Sequence, residues 1–99
     1  MVRLNWTIQA VSDLKEISDY ISKDSKRYAS LLVRRILDKA KFIKLQPDSG
    51  RIVEEFGQPD IRELFEGNYR IIYRKVTSSQ IEIITIHHSA RRLNPPHLK

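Results

Sequence analysis

The periodicity of the apolar residues changes once along this chain, at Pro47-Asp48-Ser49-Gly50, and that change sets the order of its elements. Ahead of it they recur every three or four positions: Ala10, Leu14, Ile17 and Ile21, then Ala29, Leu32, Ile36, Ala40 and Ile43, with Leu45 near the end. Each set is one stripe of an amphipathic helix, with Ser12, Lys15, Glu16, Asp19 and Lys23 on the rest of the first helix. Thr7 stands where the first helix needs an N-cap, and Asp24 or Ser25 where the second needs one. Pro47, which has no backbone N–H to donate, stops the second. Only a short connection around Lys23 to Ser25 separates the stripes, so an antiparallel helical hairpin is expected.

Behind the change the pattern is extended. Arg51 to Phe56 reads as a strand, and Gly57-Gln58-Pro59-Asp60 as a turn. Ile61 to Glu66 is a second strand, followed by Gly67-Asn68, a two-residue hairpin signal of the I′/II′ kind. Tyr69 to Val76 and Gln80 to His87, rich in Ile and Tyr, are joined by Thr77-Ser78-Ser79. At the other end Val2, Leu4 and Trp6 alternate with Arg3 and Asn5, the period of a half-buried strand. The order β-α-α-β-β-β-β predicts an α+β fold, a helical hairpin packed on a mainly antiparallel sheet. Pattern alone does not place the first strand. The interface is expected to hold Leu14, Ile17, Ile21, Leu32, Ile36 and Ile43, and no linker divides residues 1–99, which read as one domain. Arg91 to Lys99, with Pro95-Pro96, reads as an extended basic tail.

Charge narrows the partners. Eighteen basic residues stand against 12 acidic ones, a formal +6 in 99 residues, which points to nucleic acid, a nucleic-acid machine or an acidic protein. There is no cysteine, so disulfides and thiolate metal sites are excluded. Three histidines offer no ligand spacing, and neither metal nor cofactor is expected. No apolar run approaches a membrane span and the N-terminus has no signal-like apolar stretch, so a soluble cytoplasmic protein is expected.

Several strings carry a further signal: Trp6-Thr7-x-x-Ala10-x-x-Asp13-Leu14-x-x-Ile17-x-x-Tyr20-Ile21, then Leu45-x-Pro47-x-x-Gly50-Arg51. Arg62-Glu63-Leu64, Gly67-x-Tyr69-Arg70-Ile71-Ile72-Tyr73-Arg74 and Ile84-x-Ile86-x-His88-x-x-Arg91 complete the set. In order and spacing, over nearly the whole chain, these strings resemble the RelE/ParE toxin superfamily, and the ParE-type (plasmid stabilisation) toxins most. The resemblance implies the same fold and the toxin role in a type II toxin–antitoxin system, held off by a cognate antitoxin. It leaves two activities open. ParE-like members poison DNA gyrase; RelE-like members cut messenger RNA on the ribosome. A relic that keeps antitoxin binding without toxicity is the third alternative.

Cutting RNA by internal transfer needs a base, an acid and cations on the phosphate. By resemblance Arg70 corresponds to a phosphate-binding arginine. The RelE lysine pair is replaced by Ile61, Arg62 and Glu63, and no tyrosine follows Tyr73. Glu54 or Glu55 with His87 or His88 would have to supply the proton transfers; a nuclease would use Arg70, His88 and Glu54. The ParE-like reading is therefore preferred, with Arg70, Arg74, His88, Arg91 and Arg92 as the target-binding surface. Against it stand plainer accounts: Arg70 and Arg74 as a solvated strand face beside Ile72, Glu54-Glu55 as an exposed pair, Arg91-Arg92 as a solubilising end. Of His87 and His88, which point to opposite faces, one is expected to be structural. Trp6 and Tyr20 are expected in the core, where strand and helix meet.

Overall fold

The computed structural model describes residues 2–89. The elements are β1 (Arg3–Trp6), α1 (Ile8–Ser22), α2 (Lys26–Leu45), β2 (Arg51–Ile52), β3 (Ile61–Glu66), β4 (Tyr69–Thr77) and β5 (Gln80–His88). The Thr7 hydroxyl accepts from the Ala10 N–H and caps α1, and the Ser25 hydroxyl accepts from Tyr28 and caps α2. Each cap satisfies an N–H that has no partner inside its helix.

The sheet runs β1-β5-β4-β3-β2. All neighbours are antiparallel except β1 and β5, which pair in parallel from Arg3↔Gln80 to Trp6↔Ile83. The first strand is thus an edge beside the last. Where β1 ends, β5 continues, and its open edge is filled by polar groups from the start of α1. Thr7 N–H donates to Ile83 O and its hydroxyl to Ile84 O. The Asp13 carboxylate accepts from the Thr85 hydroxyl and from Ile86 N–H. Gly67 takes φ 57° while, among the described residues, no non-glycine has positive φ, the II′ pattern of a two-residue hairpin between β3 and β4.

The helical hairpin covers one face. Leu32, Ile36, Ala40 and Ile43 from α2 meet Ile71, Tyr73, Ile81, Ile83 and Ile86 from the sheet, and Leu14, Ile17, Ile21 and Trp6 pack around them. The expected interface is therefore present. Two residues depart from expectation. Leu45 is 76% exposed, because it has rotated away from the buried stripe by the end of α2. Tyr20 is 69% exposed, off the α1 stripe, with Lys23 Nζ 6.0 Å from its ring centroid.

The opposite face holds a smaller core of Val53, Ile61, Ile72 and Ile84, with Phe56 against it. The predicted strand from Arg51 to Phe56 is here only two residues long. Its ladder ends because the chain turns: Phe56 N–H and Gly57 N–H both donate to Val53 O. The turn folds Val53 and Phe56 onto the second face instead of extending the edge, and it brings Glu55 back over β4.

Candidate functional site

Alternation along β3 and β4 places Ile61, Glu63 and Phe65 on the second face together with Arg70, Ile72 and Arg74. Arg70 opposes Phe65, so it lies diagonal to Glu63, within reach of a long side chain. Its Nε donates to Glu63 Oε1 at 2.5 Å. Its Nη1 and Nη2 donate to the two Glu55 oxygens at 2.9 and 3.1 Å, a bidentate fork. Arg51 Nε donates to the other Glu63 oxygen at 2.8 Å, and its guanidinium lies 5.1 Å from the Phe65 ring centroid. The Glu63 side chain is 3% exposed, Arg70 10% and Glu55 35%.

Arg70 is therefore not part of a solvated face. It is a buried cation with every guanidinium nitrogen engaged by the chain's own carboxylates. The hydrogen bonds it donates to Glu55, followed by the one to Glu63, hold its pKa above the ordinary arginine value. In return, the Arg70 hydrogen bond pulls the Glu55 carboxyl below the usual range, and nearby His87 adds to this.

The residues expected to act together are divided by the sheet. Arg70 opposes His87, whereas His88 opposes Tyr69 on the other face and meets its ring edge-on, centroids 5.2 Å apart at 87°. Arg74 shares the Arg70 face, half-buried, and its Nε is buried with no hydrogen-bond partner among the described residues. Glu54 is exposed and takes no part in the Arg70 cluster. Arg91 and Arg92 lie outside the described residues. The set that does converge is Arg70, Glu55 and His87, with Glu63 behind it. Sequence reasoning passed over Glu63, although a charge standing between Ile61 and Phe65 on one strand face was a visible signal of a buried partner.

Chemically this cluster is a weak start for acid–base work. A carboxylate held ionised by a bidentate arginine is a poor proton acceptor, because base strength falls with pKa. An arginine neutralised by two carboxylates has little charge left for a phosphate. Among the described residues no group of three or more His, Asp or Glu can hold a metal ion, and no helix is long and apolar enough to cross a membrane.

A second anchor lies in the middle of the same strand. Tyr73 is fully buried on the helix side; its hydroxyl donates to Pro47 O at 2.7 Å and accepts from Gly50 N–H at 3.0 Å. Burial pushes its phenol pKa up, against the Gly50 hydrogen bond. A Cβ at Gly50 would lie 2.5 Å from that hydroxyl and 2.8 Å from Glu63 O, so only glycine fits. The Pro47-x-x-Gly50 string and the Tyr73 position are thus one structural unit, and they deliver Arg51 and the 53–57 turn to the Arg70 face.

Known proteins resemble this chain in sequence and fold. The family described as "ParE toxin of type II toxin-antitoxin system, parDE" matches residues 4–93. Toxin RelE2 of Caulobacter vibrioides is 30% identical over 91 residues, 92% of this chain and 99% of that protein. A solved structure, "Chromosomal ParDE TA system from P. aeruginosa", superposes with a TM-score of 0.73 at 27% identity, covering 89% of this chain and 96% of that one. The relatives carry both ParE and RelE in their names, so likeness places the chain in the superfamily without choosing a target. With the sheet order, the helical hairpin and a match over residues 4–93 in agreement, the chain belongs to the ParE toxin family of type II toxin–antitoxin systems.

Proposed function

We propose that this toxin acts by binding rather than by cutting, with DNA gyrase as its target and a cognate antitoxin as its neutralising partner. One observation carries the reading: the arginine that an RNA-cutting relative would turn to a phosphate is here closed into a buried cluster with Glu63 and Glu55. Arg74, on the face that Arg70 holds, forms the proposed target-facing set together with Arg91 and Arg92; His88 lies on the opposite face of the sheet. A binding toxin needs a complementary surface and no proton-transfer geometry, and arginines are favoured anchors in such surfaces. The antitoxin reading follows from the family and from the +6 charge, which favours an acidic segment that orders on contact. A toxin with these proposed partners would act in the cytoplasm.

The competing reading is a ribosome-dependent endoribonuclease, and the convergence of Arg70, Glu55 and His87 is what favours it. Purified protein separates the two. Supercoiling by gyrase should be inhibited, and a toeprint on translating ribosomes should show no new cuts. His87→Gln should leave toxicity near the parent level. Ribosome-dependent cleavage by the parent, abolished by His87→Gln, would replace the gyrase reading with the nuclease.

A further inference from the structure

Helix α2 carries as much net charge as the whole chain. It holds seven of the 18 basic residues and one of the 12 acidic ones, which leaves 11 of each sign elsewhere. None of the seven forms an ion pair among the described residues, where the cations that do are Arg51, Arg70 and Lys75. Their placement weakens the free helix. Lys26 and Arg27 stand in its first turn, at the positive end of the helix dipole, with no acidic residue there to offset them. Arg35 with Lys39, and Lys41 with Lys44, set like charges three or four positions apart. Cations left unpaired at such positions suit an anion outside the chain.

Five of the seven share one side. Steps of four and three join Lys26, Ser30, Arg34, Leu37, Lys41 and Lys44, with Arg27 beside the first, in an arc of about 100° over about 27 Å. The arc points away from the stripe that α2 buries, and all of it is exposed save half-buried Lys44. Asp38 lies beyond its margin, so it contains no acidic residue, and it contains no aromatic.

We propose that this stripe lies along the phosphate backbone of duplex DNA. The choice of DNA over duplex RNA rests on the gyrase reading, because DNA is what that target holds. Over that length a duplex presents about 16 phosphates, one per about 1.7 Å of axis, so five cations engage it without reading its sequence. Single-stranded nucleic acid is held largely by stacking on aromatic side chains, and the stripe has none. An acidic protein needs apolar anchors at the centre of its interface, and the stripe offers only Leu37, 40% exposed.

Fluorescence anisotropy of the full chain with a labelled duplex of about 20 base pairs, across about 50–200 mM salt, tests this. The logarithm of the binding constant should fall with that of salt at a slope of about −4, the release expected from five cations. Arg34→Gln with Lys41→Gln should make the slope shallower by about two and weaken binding at about 0.1 M salt by about tenfold. Circular dichroism should be unchanged, since both sites are exposed and glutamine suits a helix as well as either residue. Arg3→Gln with Lys15→Gln removes the same charge from exposed sites off α2 and should keep affinity within about twofold of the parent. Equal weakening in the two double variants overturns the stripe, because net charge alone then accounts for binding. So does polyglutamate that displaces the labelled duplex as well as unlabelled DNA of equal charge, since the stripe then suits an acidic protein. Duplex RNA of the same sequence bound about tenfold more tightly overturns the choice of DNA. Supercoiling assays read the gyrase assignment separately. A parent that binds the duplex as expected yet leaves supercoiling untouched supports the stripe and sinks the gyrase reading. A parent that inhibits supercoiling yet binds no duplex overturns the stripe and leaves the gyrase reading standing.

Discussion

Glu63 and Arg70 share a sheet face with Ile61, Ile72 and Ile84, where a buried charge needs partners. Removing one partner of a buried pair costs up to about 3–5 kcal/mol when the other charge is left alone. Glu63→Ala leaves Arg70 its Glu55 fork, so it should lower stability in urea denaturation by less than that upper figure of about 5 kcal/mol, whereas Glu63→Leu with Arg70→Met, which removes both charges, should be milder still. If the double variant unfolds as readily as Glu63→Ala, volume and not charge dominates the site. Glu55 behaves differently, being more accessible. Its carboxyl is held below the ordinary value of 4.5 by Arg70. A depressed folded-state pKa contributes stability above the unfolded value, lost as pH falls through the folded one. The gap in melting temperature between the parent and Glu55→Gln should thus be widest near neutrality. It should close as pH drops below about 4.5. A gap constant with pH would mean that the Arg70 fork adds nothing through its charge.

At the scale of elements, α2 is the strut of the fold, and Ile36 is fully buried at its centre. Ile36→Ala should cost about 2–5 kcal/mol, measured by the denaturant midpoint; a loss of a few tenths would place its side chain outside the main core. Such elements were legible because each is dictated locally. Stripes of three and four gave α1 and α2, Thr7 and Ser25 marked their starts, and Gly67-Asn68 set the β3–β4 hairpin. The parallel seat of β1 was not legible, since pairing between residues 77 positions apart leaves no periodic trace. Nor was the early end of β2. Val53 and Phe56 have the pattern of a strand, and what diverts them is the apolar second face waiting to be covered, a tertiary cause. The site suffered most: alternation placed Arg70 and Arg74 on one face correctly, but nothing local said that Glu55 would swing back across it.

For the whole molecule, surface charge and sheet topology have different consequences. If the basic C-terminal cluster contacts the target, Arg91→Ala with Arg92→Ala should reduce growth inhibition while the melting temperature and neutralisation by the antitoxin stay near parent levels. Full toxicity in that double variant would remove those arginines from the target surface. Topology acts on a different axis, time. The parallel ladder from Arg3↔Gln80 to Trp6↔Ile83 joins the first described strand to the last, and Ile81, Ile83 and Ile86 of that last strand line the main core. Synthesis proceeds from the N-terminus, so until β5 emerges β1 has no neighbour and both helices overlie an unfinished floor. Pairings this distant in sequence also slow folding, because loop closure must precede the contacts that reward it. A chain truncated after Ser79 should show no cooperative unfolding transition by circular dichroism; a sharp transition would mean that the rest folds without its last strand. The nascent chain thus lacks an inner strand of its described sheet until β5 is made, an interval during which its apolar helix faces are open to whatever partner is already present.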